Sequence, residues 1–441
     1  MQAGSTFYKT MLWRGMHYIT AFVVNILIAR YFKAAVSGEL YYISSIYSLI
    51  LLFSSLGIDS GIIYFASGKK IGTGKLLHFS LAWTVLTGTL VFLVVYYFVN
   101  NGVSGFNHRL LLFSAVTFIC GNLLMTYCTG LCYAKNDFVT PNAVSIVTNL
   151  MLVAVLPFNG HSIIPVINGD NYFYIYFCSF LLQGLVLVIF VQLKYVGLKF
   201  AGLISFTELK LMIVYCAMAY AANIIFFFLY RIDYWFVEKY CSAEELGNYI
   251  QVSRIGQMFF ILPTILASVV FPLTAGGQKE KINSLLTLIS RSILFLYLLA
   301  CLLLSLIGKW LFPLLFGESF SGMYQPFLFL IPGILSLSGL FTLTAYYAGK
   351  NRIKVNIIGS VLALLVILAG DSIFIPVYGI NAAALVSSIG YIVYQVYVLW
   401  VFTNEYKTAP GSFFIFRLSD WHFIKEGIAR SFKRQDEKQQ Q

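Results

Sequence analysis

Tyr133-Ala134-Lys135-Asn136, with Asn142 shortly after it, returns in the second half of this 441-residue chain as Tyr347-Ala348-Gly349-Lys350-Asn351, with Asn356 shortly after it. Both ends of the match are offset by 214 residues, and each copy sits at a turn between two long apolar runs. A fainter echo lies upstream of each. Gly38 and Tyr41 open one apolar run, and Gly247 and Tyr249 open another. Self-similarity at a fixed offset is the mark of a duplicated structural unit.

Working outward from those turns, twelve apolar segments divide the chain: 11–30, 40–66, 76–99, 109–134, 142–158, 172–193, 209–230, 247–272, 287–308, 323–348, 354–376 and 379–402. At 1.5 Å per residue each is long enough to cross a hydrocarbon core of about 30 Å. The spacing predicts an all-α polytopic membrane protein of about twelve transmembrane helices. The copies are six helices apart, an even number, so they share an orientation. The expected fold is therefore two six-helix bundles, 1–195 and 196–402, related by a pseudo-two-fold axis along the membrane normal, followed by a tail, 403–441. In such proteins the substrate path runs between the bundles.

Composition agrees. Hydrophobic residues make up 59% and charged ones 10%, against about 25% charged in soluble domains. That excludes an ordinary soluble enzyme, a disordered chain and a nucleic-acid binder. The net charge of +12 follows from asymmetry between loops. Of the 29 basic residues, 22 fall on the side of the termini and 6 opposite, with Arg254 inside a span, so both termini are expected in the cytoplasm. The first apolar run has no small-residue cleavage site after it and reads as a retained helix.

Few groups in the spans carry chemistry. The seven cysteines lack a His or carboxylate to complete a metal set and read as structural. Arg14, His17 and Asn25 fall within about 60° of one another on helix 1. Ser44, Ser48, Ser55 and Asp59 form a stripe on helix 2, and Gln251 and Arg254 share a face of helix 8. Such stripes line protein or water rather than lipid. Each has a plainer reading. Arg14 snorkels as readily as it binds, the serines bond their own helices, and His17 packs. Asp59 and Arg254 are deeper, and function is the favoured reading for both. Arg231 and Asp233 follow helix 7 and form at the least an interfacial pair. Asp233 and Asp371, with Asn381 or Ser388, offer oxygen ligands for a coupling cation.

The stretches Tyr230-Arg231-Ile232-Asp233-Tyr234, Glu245-Leu246-Gly247-Asn248-Tyr249 with Pro272 closing helix 8, Ile375-Pro376-Val377-Tyr378-Gly379-Ile380-Asn381-Ala382-Ala383, Gly38-Glu39-Leu40-Tyr41 and Leu56-Gly57-Ile58-Asp59 together resemble the Wzx-type polysaccharide flippases of the multidrug/oligosaccharidyl-lipid/polysaccharide exporter superfamily. The resemblance spans residues 1 to about 402. It implies a transporter, not an enzyme, that moves an undecaprenyl-diphosphate-linked oligosaccharide between leaflets of a bacterial inner membrane for O-antigen, capsule or exopolysaccharide synthesis. Its expected partners are that lipid and glycosyltransferases or a polymerase of the same pathway. No cofactor is expected beyond a sodium ion or proton for coupling. Arg14, His17 and Arg254, with Asn25, Asp59, Arg231 and Gln251, would hold the diphosphate and sugars, and Tyr220, Tyr230 and Tyr234 would stack on sugar rings.

A multidrug antiporter of the same superfamily commonly has an acid in helix 1, where this chain has Arg14 and His17. A peptidoglycan-precursor flippase typically has fourteen helices. A membrane-embedded polymerase or ligase would carry a large external loop, which is missing here. In the tail, Trp421, Ile424, Ile428 and Phe432 repeat at helical spacing beside basic residues and predict an amphipathic helix on the cytoplasmic membrane surface.

Overall fold

The computed structural model describes residues 2–68, 70–100, 108–156, 169–197, 202–263, 270, 274, 279–350, 352–407, 409–416 and 420. Among them all regular structure is helical: α1 (Gln2–Ser55), α2 (Ile58–Ser67), α3 (Thr73–Asn100), α4 (His108–Ala134), α5 (Val139–Val155), α6 (Gly169–Val191), α7 (Phe206–Tyr240), α8 (Ala243–Met258), α9 (Lys279–Phe316), α10 (Tyr324–Gly349) and α11 (Ile353–Tyr406). Leu, Ile, Val and Phe cover these helices on all sides, and Leu86, Leu90 and Leu93 on α3 and Leu302, Leu303 and Leu306 on α9 stand fully outward. Such surface is stable only against lipid, where the helix also satisfies every backbone group internally. Among the described residues, seven helices are long and apolar enough to cross a membrane. Two of the seven contain two of the expected spans each.

Those double spans are the first departure from the sequence reading. The loops expected between helices 1 and 2 and between helices 11 and 12 shrink to single residues. Helix 1 passes into helix 2 within α1 at Lys33 (φ 62°), and helix 11 into helix 12 within α11 at Gly379 (φ 60°). Glycine adopts a positive φ freely, whereas lysine does so under strain. The strain at Lys33 is held from both sides. Its carbonyl accepts from Ser37 Oγ at 2.6 Å, and the Ala34 amide donates to Ser319 Oγ at 3.0 Å.

Other boundaries also move. Gly38 is buried inside α1 rather than opening a helix. Helix 8 begins at Ala243 rather than Gly247, because Ser242 and Glu245 form a reciprocal capping box. Helix 7 runs on to Tyr240, so Arg231 and Asp233 lie inside it. A break inside helix 2, with Leu56 at φ 48° and Gly57 at φ 69°, separates α1 from α2. Pro272 and the amphipathic tail from Trp421 lie outside the described residues.

The chain divides into two compact units, Met1–Phe227 with Leu315–Ser319, and Phe228–Leu314 with Phe320–Gln441. In the first, α4 and α6 cross at Gly121, where a Cβ would come within 2.3 Å of the Phe180 backbone. In the second, α10 and α11 cross at Gly333, where a Cβ would stand 2.8 Å from Ser388 Cα. Small residues at such crossings let backbones approach closely, the main source of helix association in lipid.

Candidate functional site

Among the described residues, the second unit buries two carboxylates on its long helices, Asp233 and Asp371. Asp233, 3% exposed on α7, accepts the Tyr234 amide at 2.9 Å on one oxygen. Its other oxygen accepts the Tyr249 hydroxyl from α8 and, at 3.3 Å, the Ser387 hydroxyl from α11. Asp371, 0% exposed on α11, has no hydrogen-bond partner on either oxygen, and it is an electrostatic neighbour of Asp233 and Tyr249. A void of about 10 Å³ lies among Asp233, Tyr249, Ser253, Gln257 and Ser387, enough for about one water-sized occupant. A buried carboxylate without a partner is costly, so the pair calls for a proton or a cation between its oxygens.

Of the residues expected to join that pair, Ser388 does not. Its hydroxyl donates to the Phe329 carbonyl at 2.7 Å and accepts the Gly333 amide at 3.2 Å, bracing α10 against α11. Asn381 donates to Gln325 Oε1 at 3.3 Å and lines a separate groove with Phe374 and Tyr378. Ser387 and Tyr249 hold the positions next to Asp233 instead.

A cationic cluster stands beside this pair. The Tyr234 hydroxyl donates to Ser253 at 2.9 Å and ties α7 to α8. That tie brings Arg231, one turn before Tyr234, and Arg254, next to Ser253, into mutual electrostatic range. Gln251, 0% exposed and one turn from Arg254, has no partner for its amide nitrogen or oxygen. Tyr234 is buried, with its ring edge-on to Tyr249, and Tyr230 packs on Phe260 and Tyr391. Tyr234 therefore has no free face for a sugar.

In the first unit Arg14 and His17 are electrostatic neighbours on helix 1, and the other residues expected there make local contacts of their own. Arg14 lies over the Tyr133 ring at 5.6 Å, and His17 one turn on has a buried Nδ1 without a partner. The His17 carbonyl accepts Thr20 Oγ1 at 2.9 Å, and Thr20 in turn accepts Asn149 Nδ2 at 3.1 Å, which joins helix 1 to α5. Asn25 is buried two turns deeper, its carbonyl accepting the Tyr41 hydroxyl at 3.4 Å. Asp59 sits in the first turn of α2 beside Tyr127 and Cys216. Ser44, Ser48 and Ser55 donate to carbonyls of their own helix at 2.7–3.0 Å. All seven cysteines are free, and no group of three His, Cys, Asp or Glu able to hold a metal occurs among the described residues.

At the turns that carry the sequence repeat, each unit closes an ionic latch. Asp137, after α4, accepts Lys194 at 2.9 Å, Tyr195 at 2.6 Å and Thr140 Oγ1 at 2.7 Å. Burial pushes the Asp137 carboxyl up, but the hydrogen bonds from Tyr195, Lys194 and Thr140 outweigh it and hold the group well below the usual carboxylate range. In the second unit the signs are reversed. Lys350 and Arg352, after α10, reach Glu405 at 3.1 and 2.6 Å, and Lys350 also donates to Tyr406.

Solved structures share this fold. The lipid II flippase MurJ in an inward closed conformation matches with a TM-score of 0.72 at 15% identity, over 91% of this chain and 89% of that one. An inward-facing multidrug resistance MATE family transporter of the MOP superfamily matches with 0.66 at 13% identity, over 89% and 95%. A Vibrio cholerae MATE transporter matches with 0.61 at 15%, over 93% and 100%. No family model and no curated protein matches the sequence. These likenesses, at 13–15% identity, show a shared fold.

Proposed function

We propose that this chain is a flippase that moves an undecaprenyl-diphosphate-linked oligosaccharide from the cytoplasmic to the periplasmic leaflet of a bacterial inner membrane by alternating access. Both termini are cytoplasmic, and the pathway's glycosyltransferases or polymerase are its neighbours in the membrane. The observation that carries this reading is the pairing of Arg231 with Arg254, tied together by Tyr234 and Ser253. Two guanidinium groups within electrostatic range of each other on adjoining helices are kept at a cost. An anionic cargo with several phosphate oxygens offsets that cost through bidentate contacts. Gln251 adds an unsatisfied amide donor and acceptor suited to a phosphate or a sugar hydroxyl. Arg14 is the corresponding cationic group of the first unit, His17 one turn on offers an imidazole with a buried Nδ1, and Asn25 lies deeper on the same helix. Asp233 and Asp371, with Tyr249 and Ser387, would take the coupling ion. Sodium suits an all-oxygen set, and a proton shared by the two carboxyls is the other form of the same site.

The test is leaflet-resolved transport of a fluorescent undecaprenyl-diphosphate oligosaccharide in liposomes, with efflux of a cationic dye followed in the same vesicles. The expected result is lipid movement without dye efflux. Arg254→Gln and Arg231→Gln should each slow transport by at least about tenfold, the loss of one charge-assisted contact. Gradient-driven dye efflux without lipid movement would overturn the reading in favour of a drug antiporter.

A further inference from the structure

We propose that the first unit holds its own monovalent-cation site at the break in helix 2, formed by the Asp59 carboxylate and the Tyr127 hydroxyl. The break itself is built by packing. Gly57 (φ 69°) faces α7 so closely that a Cβ there would stand 2.8 Å from the Cys216 carbonyl oxygen, and one at Gly61 would stand 2.5 Å from Cys216 Sγ. On a helix of 3.6 residues per turn, Asp59 falls in azimuth between Ile62 and Ile63, and it lies within electrostatic reach of Cys216 on the α7 side as well. The face of Ile62 and Ile63 meets α4, because a Cβ on Gly130 would lie 2.9 Å from Ile63 and 3.5 Å from Ile62. Helices 2 and 4 are two crossings apart and run in the same direction. One turn before the Ile63–Gly130 contact therefore sets Asp59 opposite Tyr127, and the two groups are electrostatic neighbours.

Tyr127 is 0% exposed, and its hydroxyl has no hydrogen-bond partner. The plain role for Asp59 is to cap the positive end of α2, where it occupies the first turn. That role leaves the Tyr127 hydroxyl unexplained, since a buried hydroxyl is normally paired. A hard cation between the two oxygens satisfies both groups at once. A broken helix inside a span is also where transporters expose the backbone carbonyls that complete such a shell. If the cargo is anionic, as proposed above, a cation here offsets the repulsion that a bare Asp59 would impose on it. The site's existence does not depend on that cargo.

Equilibrium binding of radiolabelled sodium to the purified full-length chain, with choline as the inert cation, tests the proposal. Asp59→Asn should lower the number of sodium ions bound per chain by one. Tyr127→Phe, which keeps the ring and removes one oxygen ligand, should weaken that ion by about tenfold. Asp371→Asn serves as the separate control. A loss there reports on the Asp233–Asp371 pair, and an ion that remains in that variant and disappears with Asp59→Asn belongs to helix 2. Unchanged stoichiometry and affinity in both Asp59→Asn and Tyr127→Phe would overturn the proposal. If Asp59→Asn does not fold, Tyr127→Phe decides alone, with unchanged sodium affinity overturning the site.

Discussion

The two units repeat corresponding grooves and helix crossings, at slightly shifted offsets, while exchanging almost all of their residues. Tyr174, Ile175, Cys178, Ser179 and Leu182 line a groove of about 780 Å³ in the first unit. Asn381, Ala382, Leu385, Val386 and Ile389, each 207 residues later, line one of about 800 Å³ in the second. Gly121 and Gly333 mark the matching helix crossings. The latches at the repeated turns are likewise conserved in place and inverted in sign, with acid on the turn in the first unit and base on the turn in the second. The geometry is thus similar while the chemistry differs. The second unit holds the buried carboxylate pair, and the first carries the half-buried Asp59 at a break in helix 2.

If shared geometry is what both units depend on, the glycine crossings are where the comparison breaks hardest. Gly121→Ala drives a Cβ into three backbone atoms at 2.3–2.5 Å, so α4 and α6 must separate. A loss of about 3 kcal/mol is expected, at the upper end of overpacking costs. Gly333→Ala meets Ser388 at 2.8 Å and should cost about 1–2 kcal/mol. Thermal unfolding of both variants in one detergent checks the order, and a larger loss for Gly333→Ala would show that the crossings are not equivalent.

The latches come next. Asp137→Asn removes the charge that Lys194 and Tyr195 bond, and should cost about 1–2 kcal/mol at neutral pH. Because the Asp137 carboxyl is held below its unfolded value, its contribution is complete above about pH 4 and is lost only as pH falls through its lower, folded-state value. The difference in unfolding midpoint between the parent and Asp137→Asn should therefore stay constant from pH 7 to pH 5. A gap that closes above pH 5 would place the latch outside this account. Arg352→Ala removes a half-exposed ion pair from the second latch, with Arg352 at 47%, and should cost less than about 1 kcal/mol.

The spans and the duplication were legible in the sequence because apolar length and a fixed offset are long-range patterns that single residues do not disturb. Asp233 and Asp371 were legible for a related reason, since an acid in an apolar run stands out. Their partners were not. Tyr249 is one of 30 tyrosines, and choosing Ser387 over Ser388 needs the register of helix 12. The strain at Lys33 is held through the Ala34 amide by Ser319, 285 residues beyond Ala34, and nothing in the local sequence announces it. The break at Leu56-Gly57 likewise depends on the close approach of α7 at Cys216.

The smallest effect separates two kinds of serine in the first unit. Ser48 lies on the stripe of helix 2 that reads from sequence as a polar lining, yet its hydroxyl donates to the Ser44 carbonyl at 2.7 Å, within its own helix. Ser114 on α4 bonds the Tyr47 hydroxyl at 2.8 Å, and both are buried. Removing a hydroxyl that only bonds its own helix leaves no group unsatisfied, because that carbonyl keeps its helical partner. Removing Ser114 Oγ takes away its hydrogen bond with the buried Tyr47 hydroxyl, and the expected loss is about 1 kcal/mol. Ser48→Ala should change the unfolding free energy by less than about 0.5 kcal/mol and leave transport unchanged. A transport defect in Ser48→Ala with normal stability would return the helix 2 serines to the substrate path and would make Asp59 part of that path as well.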